Sequence, residues 1–114
     1  MIELSDVISF HSYRPLAETK ALVDGMKSEG RPFFVTEWLC REHGNVMEDH
    51  LPYFRDEKIS CWHWGFVVGR TQTNLWWGVN NAEPEVWQHD VLHPDGTPYR
   101  ESEIALVKRM RRLE

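Results

Sequence analysis

Three apolar runs, each followed by a polar turn, punctuate the first two thirds of the chain, and two stretches of helical spacing separate them. Asp6 to Tyr13 opens on β-favouring Val7, Ile8 and Phe10 and closes on polar and aromatic residues, which predicts a strand whose end reaches a surface. Pro15 suits the first position of a helix. Leu16, Leu22, Val23 and Met26 keep roughly helical spacing until Gly30 supplies a stop. Phe33 to Trp38 predicts a second strand and Arg41 to Asn45 a polar connection. Met47, Leu51 and Phe54 then predict a second helix, which Pro52 should kink or divide in two. Ile59 to Val68 predicts a third strand. The region from Gly69 to Tyr99 is irregular, with Gly78, Asn80, Asn81, Pro84 and the turn Pro94-Asp95-Gly96, and an excursion of that length usually carries function. A last helix is expected from about Glu101 to Leu113, with Ile104, Val107, Met110 and Leu113 as its apolar stripe.

Val7, Phe33 and Ile59 are comparable early strand positions, and they stand at equal intervals of 26 residues (7 to 33, 33 to 59). That is the length of a strand-loop-helix-loop unit, so the fold class is α/β with a βαβαβ pattern and parallel strands. Parallel strands need helices over their faces and partners along their edges, and three are too few to provide these. A (β/α)8 TIM barrel averages about 250 residues, roughly 31 per unit. The 114 residues therefore read as one domain portion, the last three β/α units of an incomplete barrel, truncated or paired with another chain. The first strand, which begins almost at Met1, fits that expectation.

Composition narrows the partners. A formal charge of -5 and a pI near 5.7, with both signs mixed along the chain, argue against a nucleic-acid surface or an anionic membrane surface. The basic run Lys108 to Arg112 reads as the solvated face of the last helix. No stretch approaches a membrane span, and no signal peptide is expected, so the compartment stays open. Six Trp residues are the unusual number, because an indole offers a flat apolar face with one polar N–H, a surface that suits the C–H faces of sugars. Cys40 and Cys61 read as free thiols near strand ends, with a disulfide as the other possibility.

Glu37 is the centre of the candidate chemistry. It closes an apolar strand, where a buried sheet opens to solvent and α/β proteins bind ligands, although a strand-end carboxylate can equally serve to solvate a loop. His11 and Tyr13, two residues apart on the first strand, should point to one side and reach the same mouth; satisfying backbone groups is the plainer role for each. Trp62 and Trp64 share one face of the third strand, opposite His63, and Trp38 should face away from Glu37 into packing. His89 and His93, four apart, invite a zinc reading with His43, His50, Cys40 and Cys61. Pro94 leaves little room for the helix that this spacing needs, so no metal is expected. Glu83 and Glu85 flank Pro84 on an exposed loop, with nothing there to tune either carboxyl.

Phe-Val-Thr-Glu-Trp at the second strand, Phe-His-Ser-Tyr before it and Trp-His-Trp-Gly after it resemble the last three units of clan A retaining glycoside hydrolases, (β/α)8 enzymes of the cellulase and mannanase kind. One bacterial branch, often labelled cellulase-like or 1,4-β-xylanase-like, ends with segments similar to Gly69-Arg70-Thr71-Gln72-Thr73, Glu83-Pro84, Trp87-x-His89-Asp90 and Asp95-Gly96-Thr97-Pro98-Tyr99. The resemblance covers nearly the whole chain. It implies that Glu37 is the catalytic nucleophile, that His11 and Tyr13 lie beside it, and that Trp64 or Trp62 is the platform under the sugar at the cleavage point. Arg41, Arg70, Gln72, Trp76 and Trp77 would meet sugar hydroxyls, and the Trp-x-His-Asp segment would anchor the last loop.

A retaining mechanism needs a second carboxyl about 5 to 5.5 Å from the nucleophile. In the family that residue is a Glu, usually after Asn, and no Asn-Glu pair occurs in this sequence. The expected function is thus that of a glycoside hydrolase fragment holding the nucleophile without its acid/base, inactive alone, with a carbohydrate substrate and no cofactor. The expected partner is the missing barrel half or a second copy covering the open sheet edges. The alternative is a non-catalytic module that binds sugars through its aromatics or assembles with itself.

Overall fold

Ile8 and Phe10 turn toward the helices while Ser9 and His11 turn away, and this two-residue alternation makes the first strand, β1, Ile8–His11. The computed structural model describes residues 2–78 and 84–111, without the side chain of residue 2. Asn80, Asn81, Glu83, Arg112 and Leu113 thus lie outside the described residues. After β1 come α1 (Leu16–Ser28), β2 (Phe33–Glu37), α2 (Met47–Asp56), β3 (Ser60–Cys61) and α3 (Glu101–Met110), with short 3-10 turns at Ile2–Leu4 and Arg41–His43. The sheet is parallel in the order β1-β2-β3. The βαβαβ expectation holds at this level: a mixed α/β chain with a three-stranded parallel sheet, compatible with successive β/α units.

The core lies between one sheet face and the helices. Val35 of β2, Val23 of α1, Met47 and Phe54 of α2 and Leu106 of α3 pack with Trp38, Leu39, Ile59 and Val91, all at most 6 % exposed. Burying each large apolar side chain contributes roughly 1.5–3 kcal/mol, so this cluster is the main source of stability. Trp38 is among them, edge-on to Phe54 and stacked on His50, which is the packing role expected of it.

Four local expectations need correction. Pro15 is the residue before α1 rather than its first, and the buried face of α1 carries Thr19 and Val23 while Leu22 is 36 % exposed. Thr19 goes inward because its hydroxyl is bonded to Ser12 Oγ at 2.7 Å. Pro52 neither ends nor divides α2; it costs the one bond to the carbonyl of Glu48, on the exposed side of the helix. The third strand is two residues long instead of ten. Trp62 and Trp64 still donate their N–H groups to Val35 O and Trp38 O, but Gly65 then turns the chain at φ +76°. A Cβ there would sit 2.7 Å from His89 Cβ and 2.9 Å from Asp90 Oδ1, so the turn packs against the 89–90 backbone and requires glycine.

The irregular region is held by its own bonds. Asp90 accepts the Thr73 hydroxyl, the N–H groups of Gln88 and His89 bond to Asn74 O and Thr73 O, and Trp87 stacks on Tyr99 at 4.4 Å. The 89–93 segment is not helical: His89 faces Tyr13 and Trp77, whereas His93 packs on Trp87 and Tyr99.

Candidate active site

A register step at the end of the sheet builds the site. Ile8, Ser9 and Phe10 pair with Phe33, Phe34 and Val35, but His11 pairs with Glu37, so Thr36 is the extra residue of a bulge. The step sets Glu37 directly beside His11. The chain leaving β1 then carries Tyr13 to the same carboxylate.

Tyr13 donates its phenolic hydrogen to Glu37 Oε2 at 2.5 Å, and His11 Nδ1 lies 3.2 Å from the same oxygen. Glu37 is about one quarter exposed and His11 about one half. Burial, then the hydrogen bond and the negative charge of Glu37, push the Tyr13 phenol well above its usual range, with a smaller contribution from Cys40. The phenol therefore stays a donor throughout the neutral range. Both contacts thus fall on Oε2 of the Glu37 carboxylate.

Rings surround this pair. Trp77, half exposed, meets Tyr13 edge-on at 5.0 Å, His89 at 5.3 Å and His43 at 5.7 Å. His89, 1 % exposed, lies 5.4 Å from Tyr13 and donates Nδ1–H to the carbonyl of Leu39 at 2.5 Å. Burial holds its imidazole below the usual histidine range, so it is neutral. A cleft of about 500 Å³ opens beside Tyr13 and His11, lined also by Ser12, Arg14, Pro15, Glu18 and His43 but not by Glu37. An apolar groove of about 380 Å³ between α2 and α3, lined by Trp38, Met47, Phe54, Val107 and Met110 among others, contains neither Glu37 nor Tyr13.

The remaining sequence candidates scatter. Trp62 and Trp64 are 55 % and 45 % exposed, Trp62 standing edge-on to Phe34, so both offer open indole faces on the segment leaving β3. Gln72 is exposed but borders a separate cleft with Val68, Trp87 and His93. Arg41 does not face that surface at all: its guanidinium is buried in a two-bond ion pair with Glu103, and the expectation that it meets a sugar is corrected. Arg70 is exposed, and Trp76 spends its indole N–H on Val86 O. Burial raises both thiols, Cys61 to about 11, which keeps them protonated. Both are free.

Two participants were not signalled by the sequence alone. His89 belongs to a segment that reads as an anchor, and it does anchor, but its ring also closes the floor of the Glu37 cluster. Asn45 sits in a polar connection and turns out fully buried. The 62-residue separation of Arg41 from Glu103 left no local mark either. No family model, curated protein or solved structure matches the chain.

Proposed function

We propose that this chain is the part of a retaining β-glycosidase that carries the nucleophile, the last three units of a (β/α)8 barrel. The observation that carries this reading is the convergence of Tyr13 and His11 on one oxygen of Glu37 at the exit of a parallel strand. Such an arrangement suits a carboxylate that must hold one orientation. In the reaction the second oxygen of Glu37 attacks the anomeric carbon as the glycosidic oxygen is protonated, and water then hydrolyses the glycosyl-enzyme ester. Glu37 supplies the covalent step. Tyr13 and His11 orient it and draw off charge when the ester breaks.

Protonating the leaving oxygen requires a second carboxyl, which the first five units would bring. Trp77, Trp64 and Trp62 would present indole faces to the sugar, and the substrate class is a β-linked poly- or oligosaccharide. No cofactor enters the chemistry.

The test joins this chain to five N-terminal units of a glycosidase barrel bearing an acid/base Glu and measures turnover of an aryl β-glycoside. Glu37→Gln should abolish turnover, and Glu37→Gly with azide should yield the glycosyl azide of inverted configuration. Turnover preserved in Glu37→Gln would sink the assignment.

A further inference from the structure

Leu39, two residues past Glu37, holds a left-handed backbone at φ 76°, a conformation that costs a branched residue free energy unless its surroundings impose it. Both of its backbone polar groups are tied. Its carbonyl accepts from His89, and its N–H donates to Asn45 Oδ1 at 2.8 Å. The other end of the same carboxamide, Asn45 Nδ2, lies 3.1 Å from Ser12 O and 2.6 Å from Arg14 O, the carbonyls on either side of Tyr13. With an N–H on one side and two carbonyls on the other, the amide has only one orientation that satisfies its partners.

We propose that Asn45 is a positioning residue, a clamp that fixes the chain around Tyr13 to the chain leaving Glu37 and thereby sets the phenol against the carboxylate. The clamp is itself held. Asn45 exchanges both backbone bonds with Cys40, at 2.9 and 3.0 Å, which closes the 40–45 loop, and its side chain is fully buried. His50 backs it from α2: its Nε2 lies 2.9 Å from Asn45 Nδ2 and 3.1 Å from Arg14 O, and its Nδ1 lies 3.1 Å from Val46 O. Burial holds the His50 imidazole below the usual histidine range. Asn45 touches neither Glu37 nor the Tyr13 ring, and its effect runs through the backbone on both sides.

The inference rests on Glu37 as the working carboxylate, yet it can be read in this chain without any turnover. Tyr13 would be followed by NMR of ¹³C-labelled tyrosine during a base titration, with Tyr53 and Tyr99 as internal references and Tyr13→Phe as the assignment. The titratable groups around it are Glu37, Cys40, His11 and His89. In the parent protein Tyr13 should resist ionisation. Asn45→Ala removes every side-chain bond, and Asn45→Asp keeps the acceptor for Leu39 N–H but not the donors. Both should shift the Tyr13 titration downward from the parent protein, toward the ordinary value of about 10. Ser12→Ala removes a hydroxyl of the same buried cluster and keeps the backbone carbonyl, so it should leave Tyr13 unchanged.

An unmoved Tyr13 in folded Asn45→Ala overturns the proposal, and so does an equal shift in Ser12→Ala. If neither Asn45 variant folds, hydrogen exchange of the Asn45 side-chain amide in the parent protein decides: protection like that of the Leu39 N–H supports the clamp, and exchange at the rate of an exposed amide overturns it. A completed barrel without turnover, but with the Tyr13 shift present, would remove the glycosidase reading and leave the clamp standing.

Discussion

Arg41 and Glu103 face each other as a fork on a fork, Nε on Oε1 at 2.8 Å and Nη2 on Oε2 at 2.6 Å, with both side chains 1 % exposed. The remaining donor, Nη1, reaches Trp87 O at 3.0 Å, and the guanidinium lies over the Tyr99 ring. One side chain thus joins the exit of β2, the irregular region and α3. Replacing Glu103 by Ala strands a buried cation and should destabilise the fold by about 3–5 kcal/mol, whereas the paired change Arg41→Met, Glu103→Leu should cost far less. Urea unfolding of the three proteins decides; a single variant within about 1 kcal/mol of the parent would contradict the assigned role.

Gly65 and Gly25 make opposite predictions from one substitution. Alanine at 65 meets the positive φ and the Cβ of His89, so Gly65→Ala should lose about 1–3 kcal/mol and shift the His89 ring resonances. Gly25 lies inside α1 with nothing within 4 Å of an added Cβ, and Gly25→Ala should gain about 0.5–1 kcal/mol. Thermal melts measure both, and a stabilised Gly65→Ala would refute the close approach.

Acid should weaken the fold near neutrality. Burial lowers the imidazoles of His50, His63 and His89 below the unfolded value of 6.5. The unfolded chain then binds more protons as pH falls, so the contribution of the three groups is complete above pH 6.5 and is lost progressively below it. The urea midpoint should be level from pH 8 to 7 and decline from about pH 6.5 toward 5. A level midpoint across that whole interval would show that these rings are solvated.

Base should weaken it through the opposite sign. The Tyr13 phenol is raised in the folded protein, so the folded state keeps a proton that the unfolded chain releases above its value of 10.0. Stability from Tyr13 is complete below that pH and falls as pH climbs beyond it. Cys40 and Cys61, raised from 9.0, add to the same slope. Tyr13→Phe should flatten the alkaline decline without removing it, and an unchanged slope would mean that folding does not raise the Tyr13 phenol.

The sequence carries the repeating unit plainly, because apolar strands and amphipathic helices are local signals: Ile8 pairs with Phe33 and Phe34 with Ser60, within one residue of the spacing read from the pattern. Gly30, at φ +65°, ends α1 as its position implies. What fails is of another kind. The apolar run after Ile59 reads as strand because periodicity cannot see that Gly65 must fold away from the sheet to pack on residues 89 and 90. Arg41 reads as a loop cation because its partner is distant in sequence, and the step that sets Glu37 against His11 is a property of two strands together.

In the sheet, each strand pairs only with the strand next to it in the chain, and among the described residues neither outer edge of β1 nor of β3 has a strand partner. A sheet in that order can be extended from either side without rethreading. On the barrel reading proposed above, these two edges are where a complementary polypeptide would add its strands. On that same reading, turnover that appears with rising concentration of a separately supplied complement would measure how strongly the two polypeptides recognise each other.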